Sequence, residues 1–334
     1  MRAAMRPSLL SMFPEELEGW LAERGVRARP DHCRRALAQV VALGRDTVRP
    51  TKGAMPKAAI AAMEEGLTWQ RLTVVERVTD PADGFVKYLL RSPDGALTEA
   101  VRIPLRKPDT FTVCLSSQVG CAMQCVFCAT GRLGLTRNLE AWEMVAALLT
   151  VRDEAPGRIT GVVFQGQGEP FHNYDEVIRA ARILAHPCGG RISGKAITIS
   201  TVGLVPAIRR FTREGHPFRL ILSLTSALPE RRAELLPVSG KFPIEELVDA
   251  IREHAEASKF GLQTIAWVVM GGVNHDAAEV EALKGLLGDL RVRINLIDIN
   301  DSREGGFRRA SDDELGELMD RLQVLKMPVV RRYS

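Results

Sequence analysis

Three cysteines, Cys121, Cys125 and Cys128, stand in one short stretch, CAMQCVFCATG, with Gly120 before it and Gly131 at its end. Their spacing is Cys-x3-Cys-x2-Cys. Thiolates so close in sequence can hold a metal, and their number narrows the choice. A structural zinc ion takes four closed ligands. A conventional [4Fe–4S] cluster takes four cysteine thiolates. Three thiolates from one loop fit a cluster with one iron left open, free to bind a substrate or cofactor. A zinc site would need a fourth ligand, for which His172 or Cys114 are the candidates. Three buried small apolar side chains are the remaining reading. Their close spacing, in a chain holding only six cysteines, argues against it.

Such a loop must be held by regular elements. From residue 108 onward the sequence alternates strand and helix patterns. Strands are expected at 111–117, 160–166, 196–201, 219–225, 263–270 and 292–299. Amphipathic helices are expected at 139–153, 174–185, 204–214, 243–258 and 276–289, with a last helix at 311–325 before a short strand at 328–332. Six βα units imply parallel strands with outer helices, an α/β fold of the incomplete (β/α)6 barrel type. Polar and glycine residues recur at the carboxyl ends of these strands: the cysteine loop, Gly166-Gln-Gly-Glu-Pro170, Ser200 and Thr201, Ser223 to Thr225, then Asn300 and Asp301. That edge builds the active site in βα barrels. Ahead of the barrel, residues 1–70 read as a small helical domain, with Leu17, Trp20 and Leu21 on one face of a helix opening at Pro14 and a basic helix over 30–43. Residues 71–107 read as a connecting β-hairpin, turning at Pro93-Asp-Gly95, and 108–334 as the barrel.

The cysteine stretch closely resembles the signature of the radical S-adenosylmethionine (SAM) enzymes, including the aromatic Phe127 one place before the third cysteine. The resemblance implies one [4Fe–4S] cluster whose open iron is chelated by the amino and carboxylate groups of SAM. One electron then splits the sulfonium to give a 5′-deoxyadenosyl radical, so the cofactor carries the hard chemistry. In that setting Gly168 and Glu169 would meet the SAM amino group, since glycine permits close backbone approach. Ser200, Ser223 and Thr225 would hydrogen-bond its carboxylate and ribose, and Asn300 its adenine. Taken singly, these are also ordinary turn and strand-end residues. Gln118, Arg137 and Asn138 are nearby in sequence, with Asn138 expected to cap the following helix.

A narrower resemblance follows from CLSSQVGCAMQCVFCATG, GLTRNL, GQGEP, TISTVGLVP, SLTSALPERRAELLPV and INLIDIND. Over residues 95–334 these closely match the adenine-modifying RNA methyltransferases of the RlmN and Cfr type. The match is weaker over the first 90 residues, where that family has a small helical domain. It implies methylation of adenine in 23S, large-subunit rRNA, at carbon 2 first and carbon 8 as the alternative, with tRNA as a further substrate. It assigns Cys121, Cys125 and Cys128 to the cluster, and Gly168, Glu169, Ser200, Ser223, Leu224, Thr225 and Asn300 to SAM. Thr225 stands where the family motif has histidine. Glu99 aligns with an acidic residue acting as proton acceptor, and Cys114 with a second catalytic cysteine. By composition alone Glu99 reads as an exposed strand carboxylate and Cys114 as a buried inert thiol. In the family one SAM methylates a C-terminal cysteine. A radical formed on that methyl group adds to adenine, and a disulfide with the other cysteine releases the product. The target base leaves its stack to meet these groups. That methyl-carrying cysteine lies beyond the VVRRYS segment, whereas this sequence reads to Ser334 and has no cysteine after Cys188. The expectation for the 334-residue chain is therefore SAM cleavage without RNA methylation.

The remaining composition is compatible with this picture. A hydrophobic fraction of 46% supports a sizeable core, and a net charge of +4 permits an RNA partner without requiring one. Arg34, Arg35, Arg191, Lys195, Arg308, Arg309, Arg331 and Arg332 are candidates for phosphate contacts. Four of the six cysteines cluster between 114 and 128, which suits metal in a reducing cytoplasm better than a disulfide framework. No signal-peptide core or membrane-length apolar run stands out. The expected protein is a cytoplasmic monomer with no membrane partner, reduced by an electron donor such as flavodoxin. The alternatives are a radical SAM enzyme with a non-RNA substrate, such as a protein-activating enzyme, and a non-enzymatic iron–sulfur or zinc RNA-binding protein.

Overall fold

The structure is a computed structural model that describes residues 6–50, 55–300, 303 and 306–332. Asp301, expected at the edge of the site, lies outside the described residues. In chain order the strands are β1 (Thr73–Thr79), β2 (Val86–Arg91), β3 (Leu97–Pro104), β4 (Thr110–Leu115), β5 (Gln118–Gly120), β6 (Leu135–Asn138), β7 (Arg158–Phe164), β8 (Ile197–Thr201), β9 (Arg219–Ser223), β10 (Gln263–Val269), β11 (Val292–Asp298) and β12 (Val329–Arg332). The six expected barrel strands are all present, within one or two residues at most ends. Two compact units divide the chain. One takes residues up to Ser117 with Asn138–Gly166 and Asn173–Ile197; the other takes Gln118–Arg137, Gln167–His172 and the chain from Thr198 onward.

In the first unit, β1 to β4 pair antiparallel in sequence order and β7 adds parallel to β4, a mixed sheet. The connecting segment is thus longer than a single hairpin. The Pro93-Asp-Gly95 turn joins β2 to β3, with the Gly95 N–H on Ser92 O at 2.9 Å and the Asp94 carboxylate accepting the Ala96 N–H at 3.1 Å. Helix Ala141–Glu154 buries eleven consecutive residues, Ala141 to Val151. Its cap is Glu140, whose N–H donates to the Glu143 carboxylate at 2.9 Å. Asn138, expected as the cap, instead ends β6. The Glu143 carboxylate, three residues into the helix, reaches back to the N-cap N–H as the return half of a capping box. Near the N-terminus, helix Pro14–Ala22 buries Leu17, Trp20 and Leu21 as its spacing requires. The basic stretch forms helix Pro30–Leu37 and then a π-helical turn, Ala38–Ala42.

In the second unit, β8 to β12 form an all-parallel array in sequence order. Helices Val205–Glu214, Ile244–Ala257, Ala277–Leu287 and Asp312–Leu322 connect them. β10 and β11 alternate buried apolar residues such as Ile265, Trp267 and Val269 with Ile294 and Leu296. Helix starts carry their own stop signals for the strands. Asp276 and Ser311 accept the N–H groups of Glu279 and Glu314 at 3.0 and 3.2 Å. Both units are thus of the α/β type, a mixed sheet in the first and a parallel array in the second. No helix of the described residues is long and apolar enough to cross a membrane.

Candidate functional site

The cysteine loop hangs from a two-stranded hairpin, β5 with β6, that the sequence pattern did not announce. The Cys121 N–H closes its neck on Gly134 O at 2.8 Å. Gly120 adopts φ 78°, and a Cβ there would fall 1.9 Å from Gly134 O, so no other residue fits. Beyond the third cysteine a short helix, Ala129–Arg132, turns the chain back toward β6. Cys121 and Cys125 are buried among Met123, Leu235, Leu236, Met270 and Ile299, with Phe127 and Cys128 packed alongside.

This apolar setting governs the thiols. Burial pushes the Cys121 thiol up to about 11 and the Cys125 thiol to about 12, the latter helped by the neighbouring sulfurs of Cys128 and Cys121. Both are therefore protonated at neutral pH unless a metal ionises them, which a coordinating metal does outright. Among the described residues no three His, Cys, Asp or Glu side chains gather where a single ion could be held. A [4Fe–4S] cubane takes each thiolate on a different iron, and the three thiols share one dry loop. The donor set thus fits a [4Fe–4S] cluster, and the loop leaves its fourth iron without a cysteine.

The turn after β7 supplies the charge. Glu169 is 2% exposed. Its carboxylate accepts the Phe171 N–H and the Val202 N–H, each at 3.0 Å, while its own N–H donates to Gln118 Oε1 at 2.9 Å. Gln118 in turn reaches His172 Nδ1 at 3.0 Å. Burial raises the Glu169 carboxyl to about 7, against the pull of hydrogen bonds from Val202, Thr201 and Phe171. No lysine or arginine pairs with it among the described residues. A buried carboxylate of this kind, in the same unit as the thiols, is a fitting seat for an ammonium group.

Around it lie the strand ends. Ser200 in β8 and Ser223 closing β9 face each other, their hydroxyl oxygens 3.3 Å apart. Leu224 is fully buried, its N–H on Ala266 O at 3.0 Å. Thr225 is also fully buried and adopts φ 64°, a strained conformation for a β-branched residue. Its hydroxyl has no partner among the described residues. Two props hold this conformation. Asn274 donates to Thr225 O at 2.7 Å, and the buried Glu279 accepts from the Ser226 hydroxyl, the Ala227 N–H and Arg231. Asn300 is exposed and follows Ile299, which packs against the cysteine loop. Gly168, at φ 102°, precedes Glu169 in its turn.

The residues expected at cluster and SAM therefore share one unit, whereas Glu99 and Cys114 belong to the other. There, Val101 on β3 pairs with Cys114 on β4. The Glu99 carboxylate is 3.8 Å from Lys87 Nζ, and its main chain exchanges hydrogen bonds with Ser116. Burial pushes the Cys114 thiol up to about 11. All six cysteines are free thiols. Of the candidate phosphate contacts, Arg34 pairs with Asp31 at 3.0 Å, Arg308 with Glu314, and Arg309 and Arg331 with Asp298. Lys195 and Arg191 are exposed, and the Arg332 side chain lies outside the described residues. One buried residue went unread in the sequence: Arg232, in helix Pro229–Leu235. Its place three and four residues before the buried Leu235 and Leu236 was the available signal.

The chain matches the family model described as the Radical SAM superfamily over residues 115–283. It is 44% identical over 329 residues to a protein of Myxococcus xanthus named a probable RNA methyltransferase, covering 98% of this chain and 90% of that one. It is 39% identical over 274 residues to the dual-specificity RNA methyltransferase RlmN of Syntrophobacter fumaroxidans, covering 81% and 79%. Among solved structures, a radical SAM methyltransferase from Sphaerobacter thermophilus superposes with a TM-score of 0.89 at 34% identity, covering 98% of this chain and 95% of the other.

Proposed function

Since the chain belongs to the radical SAM superfamily and, within it, to the RlmN-type RNA methyltransferases, we propose that it methylates carbon 2 of adenine in large-subunit rRNA, with tRNA as a second substrate. The enzyme is a radical SAM RNA methyltransferase whose cofactors are a [4Fe–4S] cluster and SAM. In our reading Cys121, Cys125 and Cys128 hold the cluster, which when bound supplies the single electron that cleaves SAM. Glu169 seats the SAM ammonium, with Gly168 letting the backbone approach. Ser200, Ser223, Leu224 and Thr225 line the opposite side, and Asn300 meets the adenine. Glu99 takes the proton lost from the target adenine, and Cys114 is the second cysteine of the methyl-cysteine cycle; the methyl-carrying cysteine is not among residues 1–334, so these residues alone cleave SAM without completing methylation. The helical segment of residues 1–70 contributes RNA contacts. The enzyme works as a cytoplasmic monomer reduced by a flavodoxin-like donor.

The observation that carries this reading is the buried, cation-free carboxylate of Glu169 in the same unit as a dry loop of three thiols. An ammonium-bearing ligand on an open iron answers both features at once. The test has two stages. Anaerobic reconstitution with iron and sulfide should give a brown protein whose spectrum changes on adding SAM. A colourless zinc protein indifferent to SAM refutes the cofactor assignment. Mass analysis of rRNA and tRNA from a deletion strain should then show loss of 2-methyladenosine. Loss of 8-methyladenosine instead would move the reaction to carbon 8, and unchanged RNA would refute the substrate.

A further inference from the structure

Arg232 is 2% exposed and is the largest fully buried side chain among the described residues. Its guanidinium donates to three main-chain carbonyls: Leu224, Ser223 at 3.4 Å and Val202 at 2.6 Å. Its Nε–H is buried without a partner, and it forms no ion pair among the described residues. Removing a cation from water costs several kcal/mol even after relaxation, and carbonyl dipoles offset only part of that. A buried cation persists where an anion completes it. No carboxylate does so here. The thiol loop stands in that place: Val202, whose carbonyl the guanidinium holds, packs against the cluster of side chains around Cys121 and Cys125.

The helix bearing Arg232 ends against the cysteine loop, with the Val126 N–H on Leu235 O at 3.1 Å. Leu235 and Leu236 pack in the same cluster as Cys121 and Cys125. Three thiolates overbalance the positive charge of an oxidised [4Fe–4S] core, and the electron added on reduction deepens the excess. Net charge is one of the quantities that set a cluster's potential.

We propose that Arg232 is the counter-charge of the cluster held by Cys121, Cys125 and Cys128, and that its guanidinium keeps the reduction potential within reach of a low-potential one-electron donor. The inference rests on the cysteine assignment proposed above. In the reduction the donor loses one electron and the cluster gains it. Arg232 exchanges neither electron nor proton. The same side chain also spans the ends of β8 and β9, so a purely structural brace is the competing account.

The experiment is an anaerobic redox titration of the reconstituted full chain, without SAM, followed by electron paramagnetic resonance. It compares the wild type with Arg232→Gln and Arg232→Lys. At the potential where the wild type is half reduced, Arg232→Gln should show at least a tenfold lower ratio of reduced to oxidised cluster. That corresponds to a midpoint about 59 mV more negative. Arg232→Lys keeps the charge but cannot span three carbonyls, and should titrate like the wild type. Support comes from a lysine variant at the wild-type midpoint beside a glutamine variant that is shifted or fails to load cluster. The inference is overturned if glutamine leaves the midpoint unchanged. It is equally overturned if the two variants are shifted alike or fail to load alike, since that is the signature of a brace. A wild type that takes up no cluster sinks the cysteine assignment itself, which is a distinct result.

Discussion

Replacing Glu169 by glutamine tests the core of the site through stability alone. Below pH 4.5 the carboxyl is neutral in both the folded and the unfolded chain. Between 4.5 and about 7 the unfolded chain ionises and the folded one does not, because burial holds the folded carboxyl at about 7. Ionisation therefore favours unfolding, and stability from this group falls as pH rises through that window. The rise from 4.5 to about 7 corresponds to about 3 kcal/mol at 1.36 kcal/mol per pH decade. Glu169→Gln removes this dependence, although its amide also faces the Phe171 and Val202 N–H groups and loses an acceptor, a pH-independent cost of about 1–3 kcal/mol. Urea denaturation of metal-free protein from pH 4.5 to 8 isolates the difference. The stability of Glu169→Gln minus that of the wild type should climb by about 3 kcal/mol across the range. A difference that stays flat with pH would show that the carboxyl is not held neutral, and the argument for an ammonium seat would fail.

Thr225→Val replaces the partnerless hydroxyl with a methyl group of the same shape. It should raise the stability of the cofactor-free protein by about 1 kcal/mol in urea melts, and weaken SAM binding by calorimetry roughly tenfold if that hydroxyl meets SAM. Gly120→Ala drives a Cβ into Gly134 O at a positive φ. It should cost about 2 kcal/mol or more and abolish cluster uptake, read as iron per chain. Glu279→Ala strands the Ala227 N–H, leaves Arg231 with Asp276 alone and leaves the Ser226 hydroxyl with Leu228 alone. A loss of about 1–3 kcal/mol in thermal or urea unfolding is expected.

The barrel elements were legible because their signals are long and periodic. Helix Tyr174–Ala185 buries Val177, Ile178, Ala181 and Leu184 on one face, the spacing visible in the sequence. The polar residues at strand ends were legible for a related reason: β8 and β9 stop where the apolar alternation does, at Thr201 and Ser223. Other features were hidden by their shortness or by tertiary context. β5 and β6 span three and four residues, too few for periodicity to register. Arg232 lies in PERRAEL, which reads as a solvated face, and only the surrounding strand-end carbonyls make a buried cation tolerable. The left-handed backbone at Thr225 is invisible in a sequence because nothing about threonine suggests it; Asn274 and Glu279, 49 and 54 positions downstream, support the turn.

The hydrogen bond from Val126 to Leu235 has a bearing on biogenesis. During synthesis the three thiols leave the ribosome well before the leucines that shelter them. At a translation rate of about 5–20 residues per second, the stretch from Cys128 to Leu235 takes roughly 5–20 s to emerge. Throughout that interval the sulfurs face solvent, open to oxidants and to stray copper or zinc. Iron–sulfur delivery to this polypeptide is accordingly best timed to the moment that segment folds down, neither earlier nor long after.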